Sequence, residues 1–194
     1  WTTGIDARST GGGDVTVDGV GNVLANTGAG SAVGIVAYAS GGDGDVQVTP
    51  AGTVSGYTGI STSAAGLGTI TVTTASGVGG NVTGTGAAGI ESAAANGDTT
   101  ITNNAALVIG ATYGDHSTSS GAGAITVDGS GTYTGTATAG IYAQESGAGP
   151  GATFTGIHIT GSGNTTTNTG IGIVATIGGG NASNILIDRI GTVT

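Results

Sequence analysis

Three short phrases recur along the chain in a fixed order, and successive copies of one phrase are about 28 residues apart on average. The first phrase is an alternating run such as DVTV or DVQV, whose first inward residues are Val15, Val46, Ile70, Thr99, Ile125, Ile157 and Ile185. The second is a G-x-V sequence that opens at Gly21, Gly52, Gly80, Ala106, Gly131, Gly163 and Gly191. The third is a GI pair whose glycines are Gly4, Gly34, Gly59, Gly89, Gly114, Gly140 and Gly172, with Asp115 where the fifth Ile is expected. Three phrases in one order and at one period indicate an array of repeated structural units.

Each repeat is too short and too polar to bury a hydrophobic core by itself. Stacked repeats bury one continuous column of Val, Ile and Ala, because equivalent strands of successive repeats pair with each other. Parallel pairing needs a long crossover, which the other two sides of the repeat supply, and such crossovers strongly prefer the right-handed form. The sequence therefore predicts an all-β fold, a right-handed, three-sided parallel β-helix (β-solenoid) with about seven coils of about 28 residues. At roughly 4.8 Å per coil, the rod would be about 34 Å long.

The composition narrows the class of protein further. The chain has 194 residues with 44 Gly, no Cys and a net charge of −9, and such a composition by itself would favour disorder. The alternation of Val and Ile in DVTV, TITV and AITV argues against disorder, because a two-residue period is typical of half-buried strands. No run of about 18 apolar residues is present, so we expect no membrane span. With 11 acidic residues and only two basic ones, the surface repels phosphate backbones, so we expect no nucleic-acid partner.

The strand period sorts the residues after each GI glycine into inward and outward rows. The Ile and the second residue beyond it are expected to point inward, as in Ile35 with Ala37 and Ile60 with Thr62. The residue between them points outward, and this row reads Asp6, Val36, Ser61, Glu91, His116, Tyr142 and Val174. Such mixed rows do not predict a regular ice-binding lattice of Thr side chains. Ser61 is expected to be exposed and to tolerate replacement by Asp.

The connection from Gly140 to Ile157 is longer than the equivalent connections of the other coils and contains QESGAGPGA from residue 144. Insertions in solenoids bulge out of the stack and often carry binding functions, although many are tolerated surface loops without a role. Glu145 is therefore expected to lie on the surface.

Three aspartates lie in turns that precede the first phrase on two adjacent coils: Asp14, and then Asp43 and Asp45 in GGDGD. Stacked carboxylates about 5 Å apart repel each other unless a cation or a proton intervenes. Ca²⁺ accepts carboxylates and turn carbonyls in loose geometry, so these residues are the candidate ligands of a structural calcium ion. GGDGDV departs from the calcium-binding nonapeptide pattern at Val46, so solvated turn aspartates are the competing interpretation. No other cofactor is expected.

The titratable residues do not form a recognisable catalytic set. Glycoside hydrolysis needs two carboxylates at a defined separation in a cleft, and a lyase needs a base beside a neutralising cation. Asp128 and Asp188 share an outward row two coils apart, and the two arginines lie near opposite ends of the chain. We therefore expect a protein without enzymatic activity. His116 is expected on an outer face rather than at a metal, and Tyr38 and Tyr142 point outward, where tyrosines can stack on sugars.

The stretches GIVAYASGGDGDVQVTPAGTVSGYTGI and GIDARSTGGGDVTVDGVGNV resemble the passenger repeats of bacterial autotransporter and haemagglutinin-like adhesins. The resemblance rests on the GI-x-A, G-D-V-x-V and G-[NT]-V phrases and covers essentially the whole chain. It implies export to the bacterial outer surface, a parallel β-helix stalk, and adhesion, aggregation or matrix building with glycans or cell surfaces as partners. The architecture also resembles that of polysaccharide-binding and polysaccharide-degrading β-helix proteins. Binding or degradation of polysaccharides is therefore the competing function. An autotransporter also has a leader and a membrane barrel, so this chain is expected to be a segment or a different secreted polymer.

The two ends of the chain continue the repeat into each other. Read tail to head, GTVT at 191–194 and WTTGI at 1–5 give GTVTWTTGI, which has the length and phase of GTVSGYTGI at 52–60. The spacing from Ile185 across this junction to Val15 is the same as the spacing from Val46 to Ile70. Unpaired strand edges favour continuation into another coil. We expect residues 1–194 to form a single β-solenoid segment, one period of a longer rod or one subunit of a head-to-tail fibre, whose joint consists of Trp1, Thr2, Ile5, Ile190, Val193 and Thr194.

Overall fold

The computed structural model describes residues 3–25, 30–104, 106–147, 155–178 and 183–194. They form three parallel sheets, and each coil contributes one strand to sheet A, then one to sheet B and one to sheet C. Sheet A contains β1 (Thr3–Ser9), β4 (Val33–Ala39), β7 (Thr58–Ala64), β10 (Ile90–Ala94), β13 (Tyr113–Ser119), β16 (Ala139–Glu145) and β19 (Ile171–Ile177). Sheet B contains β2 (Val15–Asp18), β5 (Val46–Thr49), β8 (Ile70–Thr73), β11 (Thr99–Asn103), β14 (Ile125–Gly129), β17 (Thr155–Gly161) and β20 (Asn184–Arg189). Sheet C contains β3 (Val23–Leu24), β6 (Val54–Gly56), β9 (Val82–Gly84), β12 (Leu107–Gly110), β15 (Thr132–Gly135) and β18 (Thr165–Thr167).

The described residues stack into six complete turns and a partial seventh. In these ranges sheets A and B have seven strands each and sheet C has six, while the seventh rung of sheet C is an isolated bridge between Thr165 and Val193. Among the described residues the helical content is one 3-10 turn, Gly77–Gly80. The predicted three-sided parallel β-solenoid, with one repeat of the sequence in each coil, is confirmed. Within the described ranges, no helix is long and apolar enough to cross a membrane.

The pairing register places each predicted series of residues in one column. The first column, in sheet B, is the series that starts at Val15 and ends at Ile185. The second, in sheet C, consists of Val23, Val54, Val82, Val108, Tyr133, Thr165 and Val193, each two residues after the opening residue of a G-x-V phrase. The third, in sheet A, consists of Ile5, Ile35, Ile60, Ile90, Asp115, Ile141 and Ile173. The period of the sequence thus predicted the register of all three sheets.

These columns form one core along the axis of the rod. Ile60, Ile70 and Val82, one from each sheet, have no exposed surface. In sheet A the second inward row stays small, with Ala37 and Thr62 beside the large Ile side chains. Large and small residues therefore alternate in the narrow interior, as close packing requires.

The GI and G-x-V phrases recur together because their residues meet at the corner between sheets A and C. A Cβ atom on Gly34 would lie 2.6 Å from Val54 Cγ1 and 2.5 Å from the carbonyl oxygen of Gly59. A Cβ atom on Gly59 would likewise lie 2.6 Å from Val82 Cγ1. Only glycine leaves room for so close an approach. In five of the seven coils the glycine of the GI pair therefore accommodates the valine of the G-x-V phrase that follows it, and Gly140 accommodates Thr165 in the same way.

The outward row of sheet A has the predicted register, but two of its members are covered. Ser61 is only 6% exposed, and its Oγ atom is 2.9 Å from the hydroxyl oxygen of Tyr38 in a hydrogen bond. Val36 is also buried. The expectation that Ser61 is exposed is therefore wrong, because the longer Tyr38 side chain from the adjacent coil reaches across it.

Glu145 also differs from its expected position. It is the last residue of β16 and is fully buried, so the expectation of a surface position is wrong. It aligns with Ser119 in the neighbouring strand, on the inward side of sheet A. The rest of the long connection, residues 148–154, lies outside the described residues.

Candidate functional site at the ends of the solenoid

The last coil leaves its inward residues open. In sheet B, Ile157 is fully buried, whereas Ile185, the next residue of the same column, is 43% exposed. Ile187 is 49% exposed, although its partner Ile159 is buried. Each rung is covered by the rung that follows it, and β20 is the last strand of its sheet among the described residues. The C-terminal end therefore presents both unpaired backbone and apolar side chains.

The predicted joint residues of the C-terminal end lie at this edge. Ile190 is 75% exposed and directly follows β20. Val193 pairs with Thr165, and Thr194 donates its backbone N–H to the Thr165 carbonyl oxygen at 3.1 Å. The segment after β20 thus continues sheet C and leaves its outer edge open.

The N-terminal end contains an open hollow of about 420 Å³. It is lined by Gly4, Ile5 and residues 20–24, all of the first coil. Ile5, a predicted joint residue, is only partly buried, unlike Ile35 and Ile60, which follow it in the column. Trp1 and Thr2, the other predicted joint residues of this end, lie outside the described residues.

One corner position distinguishes the two ends from the interior coils. This position is the fifth residue after the first inward residue of each sheet B strand. In the five interior coils it is small or polar: Ala51, Ala75, Asn104, Ser130 and Ser162. In the first coil it is Val20, which lines the hollow, and in the last it is the exposed Ile190. Both ends therefore carry a large apolar residue at the same corner.

The three candidate calcium ligands accept hydrogen bonds from the next coil. The Asp45 backbone N–H donates to Asp14 Oδ1 at 2.9 Å, and the Leu67 N–H donates to Asp43 Oδ1 at 2.8 Å. The backbone N–H and the hydroxyl of Thr69 donate to Asp45 Oδ1 at 2.7 and 2.8 Å. These two hydrogen bonds hold the pKa of Asp45 below its ordinary value. The aspartates therefore tie one coil to the next.

Asparagine side chains before the strands of sheet C also accept hydrogen bonds from the next coil. In three coils a backbone N–H donates to the Oδ1 atom of the Asn in the preceding coil: Thr53 to Asn22, Leu107 to Asn81, and Thr192 to Asn164. At a corner such N–H groups need an acceptor, which a short side chain from the adjacent coil provides. This explains why Asp or Asn so often precedes the Val of both phrases. Among the described residues no group of three or more His, Asp or Glu could hold a metal ion, and calcium binding by Asp14, Asp43 and Asp45 stays a prediction.

An aromatic cluster lies on the outer face of sheet A. The rings of Tyr113 and His116 stack at a centroid distance of 4.6 Å, and Tyr142 lies 5.3 Å from Tyr113 and 5.2 Å from His116. His116 Nδ1 is 3.8 Å from Glu91 Oε1, and this contact lowers the pKa of Glu91. The Tyr142 hydroxyl donates to Gln144 Oε1 at 3.3 Å. The structure thus groups aromatic faces with a carboxylate and an amide, a combination suited to contact with sugars.

Asp115, which stands where the GI pattern has Ile, lies inside the core. Its neighbours in the column are Ile90 and Ile141, and its carboxylate is fully buried. Ser117 Oγ donates to Asp115 Oδ2 at 3.1 Å. Burial raises the pKa of Asp115 to about 7, although Ser117 and His116 oppose that shift. The core therefore contains an acid that changes its charge near neutral pH.

Arg189 reaches from the last coil two coils back into the rod. Its Nη2 donates to the Gly131 carbonyl oxygen and its Nη1 to that of Thr160, both at 2.7 Å, and its Nε donates to Thr165 Oγ1 at 2.9 Å. The guanidinium carbon is 5.2 Å from the ring centroid of Tyr133, which is fully buried. Burial lowers the pKa of Arg189 and raises that of Tyr133. The repeat pattern contains no signal for this contact, because it joins residues of different phrases 58 positions apart.

Of the resemblance to adhesin passenger repeats, the structure supports the parallel β-solenoid with three sheets and repeated coils. The likeness to adhesins in particular rests on the repeated phrases alone. No protein-family model, no curated protein sequence and no solved structure matches this chain.

Proposed function

We propose that this protein is a non-enzymatic, extracellular structural protein whose rods join head to tail into a filament or stalk on the bacterial surface and act in adhesion. One observation carries the proposal: the inward positions of sheet B, which are buried in every interior coil, are exposed in the last coil at Ile185 and Ile187. The export and the bacterial surface rest on the resemblance of the repeated phrases to adhesin passenger repeats.

The joint follows from the columns of the rod. A second copy in the same orientation presents β1, β2 and β3 to the open edges of β19, β20 and the segment at Val193. Ile173 then meets Ile5 of the next copy, Ile185 meets Val15, and Val193 meets Val23. The sequence spacings of these pairs, counted across the joint, are close to those between interior coils. The strands of two copies pair in parallel at the joint only when both copies point in the same direction along the rod. The contact is therefore head to tail and generates an open filament.

Burial of apolar surface drives the joint. Ile190 of one copy faces the corner of Val20 in the next, at the hollow of about 420 Å³. Removing a large aliphatic side chain from water contributes roughly 1.5–3 kcal/mol, and several such residues meet at the joint. A repeat that follows covalently in a longer rod would form the same contacts.

The first test replaces Ile190 by Asp. We expect the critical concentration for end-to-end assembly to rise at least about ten-fold, because the variant loses apolar burial and places a charge in the joint. Sedimentation velocity and negative-stain electron microscopy measure the length distribution. Leu67→Asp is the matched control, since Leu67 is 67% exposed in a turn far from both ends and should assemble as the wild type does. A wild-type rod that stays monomeric at high concentration would exclude the proposal.

A second candidate function, polysaccharide binding, is favoured by the aromatic cluster of Tyr113, His116 and Tyr142 on sheet A. Tyr142→Ala should weaken binding to a glycan selected from an array by about ten-fold, because stacking on the ring is lost. Tyr142→Phe retains the ring and should bind nearly as the wild type does. Equal binding by the wild type and Tyr142→Ala would remove this candidate. Cleavage of the same polysaccharides, abolished by one carboxylate substitution, would overturn the non-enzymatic assignment.

A further inference from the structure

The outer face of sheet B carries one row of residues that ends in a carboxylate at both ends of the rod. This row is the third residue after each first inward position: Asp18, Thr49, Thr73, Thr102, Asp128, Thr160 and Asp188. The pairing register aligns Asp18 with Thr49 and Asp188 with Thr160. Asp18 and Asp188 are both exposed.

Within the chain, no carboxylate of this row lies next to another. Asp128 has Thr102 on one side and Thr160 on the other, and the Thr160 hydroxyl donates to Asp128 Oδ1 at 2.7 Å. Thr is therefore the neighbour of each Asp in this row, and at Asp128 it supplies a hydrogen bond. A head-to-tail joint breaks this pattern, because it places Asp188 of one copy beside Asp18 of the next.

The two carboxylates at the joint would stand on adjacent rungs, about 4.8 Å apart. Like charges at this distance on neighbouring strands destabilise the pairing. No basic side chain stands beside Asp188 on the outer face of its strand, since Arg189 turns inward and donates to the Thr160 and Gly131 carbonyls. On the other side of the joint, Asp18 shares the first coil's turn and strand with Asp14, a further negative charge.

We infer that head-to-tail assembly is gated by the Asp18–Asp188 pair, so that a second copy docks readily only when these charges are screened or removed. The inference rests on the proposed end-to-end function and adds its regulation. Low ionic strength keeps the rods apart, and high ionic strength allows the apolar contacts at the joint to dominate. Salt can screen two carboxylates on adjacent rungs, because the Debye length falls from about 10 Å at 0.1 M salt to about 3 Å at 1 M.

The test compares the wild type with Asp188→Thr, which introduces the usual residue of this row. Critical concentrations for end-to-end assembly are measured by sedimentation in about 0.02 M and about 1 M NaCl, where the Debye length changes roughly seven-fold. We expect the wild-type value to fall about five-fold from low to high salt, the factor that corresponds to about 1 kcal/mol. Asp188→Thr should assemble at low salt with the wild type's high-salt value, and salt should change it little.

Asp128→Thr is the matched control, because it removes the same charge from the same row two coils away from the joint. It should retain the salt dependence of the wild type, which separates the pair at the joint from the net charge of −9. If Asp188→Thr retains the full salt dependence while rods still join, the inference is overturned and the proposed function stands. If neither the wild type nor Asp188→Thr joins end to end at any salt concentration, the proposed function itself fails.

Discussion

Replacing Ile60 by Asp is expected to lower the free energy of unfolding by about 4 kcal/mol or more. Ile60 has no exposed surface and lies between Ile35 and Ile90 in the sheet A column, in the interior of the rod. The substitution removes a large apolar side chain from the stack and leaves a carboxylate between two aliphatic rungs. Denaturation in guanidinium chloride followed by far-UV circular dichroism measures the loss.

Thr73→Asp is the control for this substitution. Thr73 lies on the outer face of sheet B, in the row that carries Asp naturally at Asp18, Asp128 and Asp188. The Thr73→Asp substitution should change the free energy of unfolding by less than about 1 kcal/mol, because the new charge stays hydrated. Equal unfolding midpoints for Ile60→Asp and Thr73→Asp would contradict the assignment of Ile60 to the core.

The second large effect concerns Asp115, which the chain itself carries in the same column as Ile60. Its pKa rises from an ordinary 3.8 to about 7 in the fold, so the folded state holds a proton that the unfolded state releases. The stability contributed by the neutral acid is therefore present below about pH 4 and is lost as the pH rises through about 7. Over this window the loss amounts to roughly 4 kcal/mol, at about 1.4 kcal/mol per pH unit.

Asp115→Asn keeps the shape and stays neutral, so it should be more stable than the wild type above pH 7, by up to about 4 kcal/mol, and should match it near pH 4. The difference between the two unfolding free energies, measured by denaturant titration from pH 4 to pH 8, isolates Asp115 from the other acids. Asp128→Asn should instead be less stable than the wild type, by an amount that changes little from pH 4 to pH 8, because the hydrogen bond from Thr160 keeps the pKa of Asp128 below its ordinary value. Parallel stability curves for the wild type and Asp115→Asn would show that Asp115 is already ionised in the fold.

The contrast between Ile60→Asp and the native Asp115 has a structural reason. Asp115 is followed on the same strand by Ser117, whose hydroxyl donates to its carboxylate. Beyond Ile60, by contrast, the Thr62 hydroxyl is engaged with Ser92 Oγ at 2.8 Å in the next coil. A carboxylate at position 60 would therefore lack the local donor that position 115 has.

The architecture of this protein is readable from the repeats in its amino-acid sequence. Strand alternation assigned Ile35 and Ile60 to the inside, and the three recurring phrases placed every coil in register, including the substitution of Ile by Asp115. These features were readable because a β-solenoid repeats one local environment in each coil. A period of two along the strand and a longer period from coil to coil then specify both the face and the neighbour of a residue.

The side chains that reach across coils could not be predicted from the repeats and are known from the three-dimensional packing. The burial of Ser61 beneath Tyr38, the inward position of Glu145 and the path of Arg189 to Gly131 depend on the length and direction of single side chains. Such contacts join residues about one or two coils apart and do not repeat with the period, so alternation and spacing carry no information about them. They form where the stacked coils leave a backbone group or a space that a neighbouring side chain is long enough to reach.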